Sequence, residues 1–392
     1  MSDDHGVSRR GLLQGCGAVL AGAACGPRLL AAEPDRQPSE AVTLKSWEIA
    51  EYPALPARYR QFMRVTASTG AFGVSRLIGG CRDLRAAEAA VGNANLLDHE
   101  GLHNLMTARR VPLGQLATLD IASWDLHARM RNQPLHALLG TQRRRILRYG
   151  DVRGTQPDFS PSQYAATVAR HLERTRLQAT KLHFPGAMGT KESISFPQVL
   201  ETLREVRRAV GDEKILMWDP YPGSAESATN SVEEAKEILK LMDELHYAWI
   251  EGPLPPTPFE AQIPKYVELM RCGARLKIQA EGPGSPIGDG TSFEVMRQWV
   301  EAGAINLCST DAYIASGVTN AVRMLEYAKS HPETRLAINL HWAWAPHAHL
   351  AMACDERVLP IAEFPMVGDF PQSLLNGPYL LAPDWPGIYR LD

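Results

Sequence analysis

The chain has 392 residues, 45% of them hydrophobic and 22% charged, with a formal net charge of -3. That length accommodates two domains or one large one with a sizeable core, and the near-neutral balance gives no electrostatic footprint for a nucleic-acid partner. The six cysteines show no C-x-x-C spacing and no paired histidine nearby, which argues against a zinc site.

In chain order, the first feature is Ser8-Arg9-Arg10-Gly11-Leu12-Leu13, followed by an apolar, Gly/Ala-rich run over 15–24. A twin arginine before so short an apolar stretch resembles a twin-arginine export signal. The run falls short of the roughly 20 apolar residues of a spanning helix. Residues 1–35 are set apart on this ground. The expectation is export by the twin-arginine route to the periplasm or cell envelope, with no membrane association beyond the signal. Cys16 and Cys25 lie in that segment; Cys81, Cys272, Cys308 and Cys354 are expected as buried free thiols.

Residues 42–78 read as short strands, with Ser68-Thr69-Gly70 and Phe72-Gly73 as turn signals between them. From 82 to 140 the pattern is helical. Leu119, Ala122, Leu126 and Met130 recur at three- and four-residue steps and predict one buried stripe, and Gly140 closes the helix that begins after Pro134. Beyond Gly140 the texture becomes alternation. Short apolar runs at 146–152, 179–184, 215–218, 247–250, 276–280, 304–308 and 336–340 are separated by amphipathic segments such as 196–210, 232–245, 293–302 and 319–330. Residues 358–364 can supply a last strand. Strands alternating with helices predict βαβ units and a parallel sheet. An open sheet would satisfy the alternation alone, so the placement of polar residues has to decide.

Lys181, Asp219, Glu251, Glu281, Asp311 and His341 each stand at the C-terminal end of a successive predicted strand. In a closed barrel those ends converge on one mouth. One acid after a strand is commonly a helix N-cap; six consecutive strands ending in reactive residue types are poorly explained by capping. Three carboxylates on adjacent strand ends, Asp219, Glu251 and Glu281, can surround a hard cation such as Mg2+, which takes oxygen ligands and keeps positions open for substrate. Lys181 and His183 are two apart in a strand and share a face. Asp311 and His341 end neighbouring strands, where a carboxylate can orient an imidazole and raise its pKa. His347 and His349, in an apolar helical context, are expected to be structural.

On these residues the chain resembles the enolase superfamily, in its mandelate racemase/muconate lactonizing enzyme-like subgroup. The segments Asp120-Ile121-Ala122-Ser123-Trp124-Asp125, 206–211 and 384–392 are similar to family segments, as is the spacing of about thirty residues between ligands, one βα unit each. The resemblance implies a modified (β/α)7β TIM-type barrel with an α+β capping domain built from both ends of the chain. The implied division is a capping domain over 36–144, a barrel over 145–364 and a segment 365–392 that returns to the cap. It implies Mg2+ on Asp219, Glu251 and Glu281, the first lysine of a Lys-x-Lys pair at Lys181, an Asp-His dyad at Asp311 and His341, and at Glu363 an acid that hydrogen-bonds the substrate carboxylate. His183 departs from the family by replacing the second lysine, and Tyr221 stands where an asparagine often follows the first ligand.

What this implies chemically is abstraction of the proton alpha to a carboxylate through an enediolate, with the cation as Lewis acid. If His341 then expels a β-hydroxyl, the enzyme is a sugar acid dehydratase, a lyase acting on an aldonate or aldarate. If a base on the opposite face returns a proton, it is a racemase or epimerase. An exported binding protein that kept the fold is a third possibility, which His183 leaves open. The expected partner is a small-molecule carboxylate, and a homo-oligomer is expected. Tyr59, Arg60 and Arg76 are candidates to read substrate hydroxyls or a distal carboxylate, with Trp342 and Trp344 walling the pocket.

Overall fold

The structure is a computed structural model that describes residues 41–53, 60–77, 81–154, 159–183, 194–220, 231–254, 261–272, 275–281, 290–365 and 371–391. The export segment expected over 1–35, together with Tyr59, Phe184 and Tyr221, lies outside them.

The chain opens with an antiparallel three-stranded meander, β1 (Leu44–Glu51), β2 (Gln61–Ala67) and β3 (Phe72–Arg76). The β2–β3 turn is at Ser68-Thr69-Gly70, where Gly70 has φ +85°. Gly73 was expected in a turn but lies inside β3, and packing is the reason. A Cβ there would sit 2.1 Å from the Ala122 carbonyl oxygen, so only glycine lets the strand touch the helix behind it. Three helices follow, α1 (Arg85–Val91), α2 (His99–Ala108) and α3 (Leu113–Met130), then the single turn α4 (Leu135–Leu138).

Helix α3 has more than the one buried stripe its spacing suggests. Leu119, Ala122 and Leu126 join the core of the meander and α1–α2, while Ile121, Trp124 and Ala128 join the core of the larger domain. A helix sandwiched between two cores is buried all round. Met130, expected in the stripe, is 39% exposed because it is the last residue and clears both layers.

Eight parallel strands then alternate with helices: β4 (Arg145–Arg153), α5 (Pro161–Thr175), β5 (Ala179–His183), α6 (Phe196–Val210), β6 (Ile215–Trp218), α7 (Val232–Glu244), β7 (Trp249–Glu251), α8 (Gln262–Met270), β8 (Lys277–Gln279), α9 (Phe293–Glu301), β9 (Leu307–Thr310), α10 (Gly317–Ser330), β10 (Ala337–Leu340), α11 (Ala345–Met352) and β11 (Ala362–Glu363). Ladders join β4 through β8 in order, β9 to β10, and β11 back to β4. No ladder joins β8 to β9 or β10 to β11 among the described residues; Asn306 N bonds the Ile278 oxygen at the first seam, and Ile338 N bonds the oxygen of Val358, four residues before β11, at the second. The fold is therefore an α/β barrel of the expected type beneath a capping sheet and helices. Its interior is filled by Leu147, Tyr149, Ala179, Ile215, Met217, Trp249, Leu307, Ala337 and Ile361, so it is a packed core and not a pore. The helices present Leu203, Val206, Ile238, Leu239, Trp299 and Leu325 to the outer faces of the strands. Each such side chain contributes about 1.5–3 kcal/mol on burial.

After the barrel, β12 (Leu375–Asn376) and β13 (Tyr379–Leu381) form a hairpin whose second strand pairs antiparallel with β4. The chain then runs to the cap. Leu135 N donates to the Gly387 oxygen, Arg129 Nη2 to the Tyr389 oxygen, and the Tyr389 ring meets Phe62 edge-on. Two buried aspartates of α3 hold these parts together. Asp125 accepts from Val74 N (2.9 Å), Ile388 N (2.6 Å) and Arg129 Nε (2.7 Å), joining β3, α3 and the C-terminal segment. Asp120 accepts from Thr319 N at 3.0 Å and from the Thr319 hydroxyl, which fixes α3 against α10.

No helix among the described residues is long and apolar enough to cross a membrane. Cys81, Cys272, Cys308 and Cys354 are free; the last two are buried and the first two partly so.

Candidate active site

The barrel register gathers the functional side chains. In a strand, every second residue faces the same side, so β4, β5, β8, β9, β10 and β11 deliver Asp151, Lys181, Glu281, Asp311, His341 and Glu363 to the mouth from positions within two residues of the strand ends. Asp219 follows β6 and Glu251 ends β7 in the same way. Leu182, between Lys181 and His183, packs outward in the helix-covered core.

Asp219, Glu251 and Glu281 each offer a carboxylate oxygen within 4.8 Å of the other two, and all three are buried. Two of the three are tied back by neighbouring donors. Trp249 Nε1 donates to Glu251 Oε1 at 2.7 Å, and Gln279 Nε2 donates to Glu281 Oε2 at 3.0 Å. Three buried carboxylates facing one another require positive charge between them. Lys181 supplies part of it, with Nζ 3.1 Å from Glu251 Oε2, 3.5 Å from Glu363 Oε2 and 3.9 Å from Asp219 Oδ2. Burial works against its ammonium, but Glu251, Glu363, Tyr149 and Asp219 outweigh that and hold its pKa well above the ordinary lysine range. One ammonium against this many acids leaves the cluster short of positive charge. An all-oxygen donor set of this kind suits a hard divalent cation, so the residues fit Mg2+.

The two imidazoles beside the cage differ sharply. His341 Nδ1 lies 3.1 Å from Asp311 Oδ2, which also accepts from Trp344 Nε1 at 2.7 Å, while Asp311 Oδ1 accepts from Tyr313 N at 2.8 Å. Burial alone would raise the Asp311 pKa, but the His341 hydrogen bond, His347 and the Tyr313 amide together pull it below the usual carboxylate value. Asp311 is therefore an anion that orients the His341 ring and directs proton exchange to Nε2. His183 is buried, with Nδ1 3.5 Å from Asp219 Oδ2 and Nε2 3.8 Å from Asp151 Oδ2. Neither nitrogen has a hydrogen-bond partner among the described residues. Burial first, and Lys181 and Arg153 after it, outweigh Asp151 and push its pKa down to about 3.

Glu363 moves the other way. Burial, with Asp151 and Glu251 adding to it, outweighs Lys181 and His341 and lifts its pKa to about 7. Tyr149 Oη lies 3.0 Å from Glu363 Oε2. A carboxyl that keeps its proton near neutrality can donate a hydrogen bond to an anionic substrate.

The structure thus brings together Lys181, His183, Asp219, Glu251, Glu281, Asp311, His341 and Glu363. His349 is structural, bonding the Ile388 oxygen and the His136 amide. His347 backs the dyad. Its Nε2 accepts from Ala312 N at 3.0 Å and lies 3.7 Å from Asp311 Oδ1. Arg76, at the end of β3, lays its guanidinium over the Trp344 ring at 4.8 Å, which brings a cap residue to the dyad. Arg60 instead reaches Glu51 at 3.5 Å on the exposed β1–β2 edge. Sequence reasoning missed Tyr149, Asp151, Gln279, Ser309 and Asn339, and it placed Trp344 as a pocket wall without its bond to Asp311. A signal was present for most of them. Tyr149, Gln279, Ser309 and Asn339 each precede a mouth residue by two and so share its face.

Comparisons with known proteins bear on the family and the fold. The family described as enolase C-terminal domain-like matches residues 163–388. The chain is 26% identical over 244 residues to an L-talarate/galactarate dehydratase from Salmonella typhimurium, an alignment covering 61% of this chain and 52% of that protein. The chain spans about half the length of the curated relatives it matches. Among solved structures, a mandelate racemase/muconate lactonizing protein from Paracoccus denitrificans, complexed with magnesium, superposes with a TM-score of 0.63 at 20% identity, covering 88% of this chain and 95% of that one. A racemase from Streptomyces coelicolor with bound magnesium superposes with a TM-score of 0.61 at 17% identity, covering 89% and 96%. With more than half of its length matched by that family and the carboxylate cage in place at the barrel mouth, the chain belongs to the enolase superfamily, in its mandelate racemase/muconate lactonizing enzyme-like subgroup.

Proposed function

We propose that the protein is a magnesium-dependent sugar acid dehydratase, taking an aldonate or aldarate to its 2-keto-3-deoxy acid. Asp219, Glu251 and Glu281 would hold the cation, which when bound supplies Lewis-acid stabilisation of negative charge on the substrate carboxylate. Lys181 keeps its ammonium and Glu363 its proton near neutrality, so both can donate hydrogen bonds to the same developing charge. Neutral His341, held by Asp311, takes the alpha proton at Nε2. The resulting imidazolium returns that proton to the β-hydroxyl, which leaves as water, and the enol product tautomerises to the ketone. One acid/base face is enough for this sequence.

The observation that carries the reading is the asymmetry of the two imidazoles. Racemisation needs a competent base on each face of the carbon. His183, where the family usually has a lysine, is pushed to about pKa 3, far from a value suited to proton exchange at neutral pH. His341 has the carboxylate partner, and His183 lacks an equivalent hydrogen bond. The dehydratase name of the Salmonella relative supports the same reading.

The test is incubation of the Mg2+-loaded protein with a panel of aldonic and aldaric acids in deuterium oxide, read for 2-keto-3-deoxy products and for exchange at the alpha carbon. The expected outcome is keto product from at least one acid, with loss of product on chelation. Inversion or exchange at the alpha carbon without any keto product would instead identify a racemase.

A further inference from the structure

We propose that Tyr149, Asn339, Ser309 and Gln279 are positioning residues that act as one unit, a one-way hydrogen-bond chain across the barrel floor that fixes the proton of Glu363 at one end and the orientation of Glu281 at the other. The proposal builds on the roles given above to Glu281 and Glu363 but concerns residues that touch neither substrate nor cation.

The contacts are continuous. Gln279 Nε2 donates to Glu281 Oε2 (3.0 Å), Ser309 Oγ to Gln279 Oε1 (2.9 Å), Asn339 Nδ2 to Ser309 Oγ (3.0 Å), and Tyr149 Oη to Asn339 Oδ1 (3.1 Å). Tyr149 Oη then meets Glu363 Oε2 at 3.0 Å. All six residues are buried, so bulk water cannot complete a missing bond and each proton must have one assigned place.

The direction follows from Glu281. A carboxylate that binds a cation only accepts, so Gln279 must turn its NH2 toward it and its carbonyl toward Ser309. Ser309 has one hydroxyl proton, which that carbonyl takes. The serine oxygen must then accept from the Asn339 NH2, which turns the Asn339 carbonyl toward Tyr149. The single phenolic proton of Tyr149 goes to that carbonyl, so a lone pair faces Glu363. A protonated Glu363 satisfies the lone pair. An ionised Glu363 would set two acceptors against each other at 3.0 Å unless Tyr149 rotated its proton away from Asn339 and left a buried carbonyl unpaired. The floor therefore favours the neutral acid, in opposition to Lys181. The titratable and charged groups that face Glu363 are Tyr149 and Asp151 from β4, Lys181 from β5, Glu251 from β7 and His341 after β10. Of these, only Tyr149 belongs to the chain.

The decisive variant is Ser309→Ala, which touches neither end. Without the serine oxygen, the Asn339 amide is free to flip and present NH2 to Tyr149, whose proton then turns to Glu363. Infrared spectroscopy of the full-length, Mg2+-loaded protein without substrate follows the neutral carboxyl band of Glu363 against pH, with the band assigned by its loss in Glu363→Gln. The expected result is a fall in the Glu363 protonation midpoint of about one pH unit, together with roughly tenfold weaker Mg2+ binding by calorimetry as Gln279 is released. Ser309→Thr, which keeps the hydroxyl, should restore both. Asn339→Leu should lower the midpoint in the same direction and serves if Ser309→Ala does not fold. A midpoint that stays at the wild-type value in a folded Ser309→Ala or Asn339→Leu protein overturns the proposal. Because no substrate is present, that result is independent of whether any sugar acid is dehydrated.

Discussion

The protein buries two sets of carboxylates that look alike in sequence and behave oppositely in the structure. Asp120 and Asp125 on α3 are met by donors. Asp125 takes two backbone amides and Arg129, while Asp120 takes the amide and hydroxyl of Thr319. Asp219, Glu251 and Glu281 also meet donors, in Lys181, Trp249 and Gln279, but each in addition turns an oxygen to within 4.8 Å of the other two. The first set joins cap, barrel and C-terminal segment into one body. The second stores mutual repulsion that a cation can relieve. Burial is common to both, so partner type, and not burial, separates a structural acid from a candidate ligand.

The largest effect that could break this contrast is expected at Glu251. Glu251→Gln should reduce kcat/KM by about three orders of magnitude or more and abolish stabilisation by Mg2+. Thermal stability of the metal-free protein should change little, since the loss of one of three repelling charges offsets the loss of one of the partners of Lys181, which keeps Glu363 and Asp219. Asp125→Ala should do the reverse. It strands Arg129 and two buried amides, and should cost about 3–5 kcal/mol of stability while the surviving folded molecules still bind Mg2+. Denaturant unfolding and calorimetry on both variants decide the matter. A Glu251→Gln protein that unfolds as easily as Asp125→Ala would mean that the cage is structural as well.

The second contrast is between the imidazoles. His341→Asn should lower kcat about 1,000-fold, with Mg2+ affinity unchanged. His183→Asn should cost less than about tenfold, because a base already pushed to about pKa 3 transfers few protons at neutral pH. Equal losses in steady-state assays would restore His183 as a second base and revive racemisation.

Much of this was legible in the sequence because strand ends in a barrel are a convergent frame. Asp219, Glu251 and Glu281 needed only their positions after apolar runs to be grouped correctly. The residues beneath them were not found, because Gln279, Ser309 and Asn339 look like ordinary polar residues in short strands until the register shows that they face one interior. Trp344 was legible as a wall but not as a donor to Asp311, since the loop that turns it back is defined by the barrel rim and not by local pattern. Asp120 and Asp125 could be matched to a family segment, yet their partners Thr319 and Ile388 are 199 and 263 residues distant, beyond the reach of any periodicity.

The last effect is one of stability alone, and it tests how burial acts on the two structural aspartates. Arg129 hydrogen-bonds Asp125 directly, whereas Asp120 bonds the amide and hydroxyl of Thr319, and burial raises the pKa of both. For Asp120, burial outweighs the Thr319 hydroxyl, the amides of Thr319 and Val318 and the charge of Arg323, and raises its pKa from 3.8 to about 7. Between those values the folded protein holds a proton that the unfolded chain has released. The contribution of this group is then most favourable at acid pH, declines as pH rises from about 4 to about 7, and is constant above that. Asp120→Asn removes the titration. Unfolding free energies measured for both proteins across that window, without metal, should show the variant gaining on the wild type as pH rises, by on the order of a few kcal/mol. The cage carboxylates titrate identically in both and cancel in the difference. A difference that does not change with pH would mean that the Thr319 bonds and the neighbouring charge hold Asp120 ionised in spite of its burial.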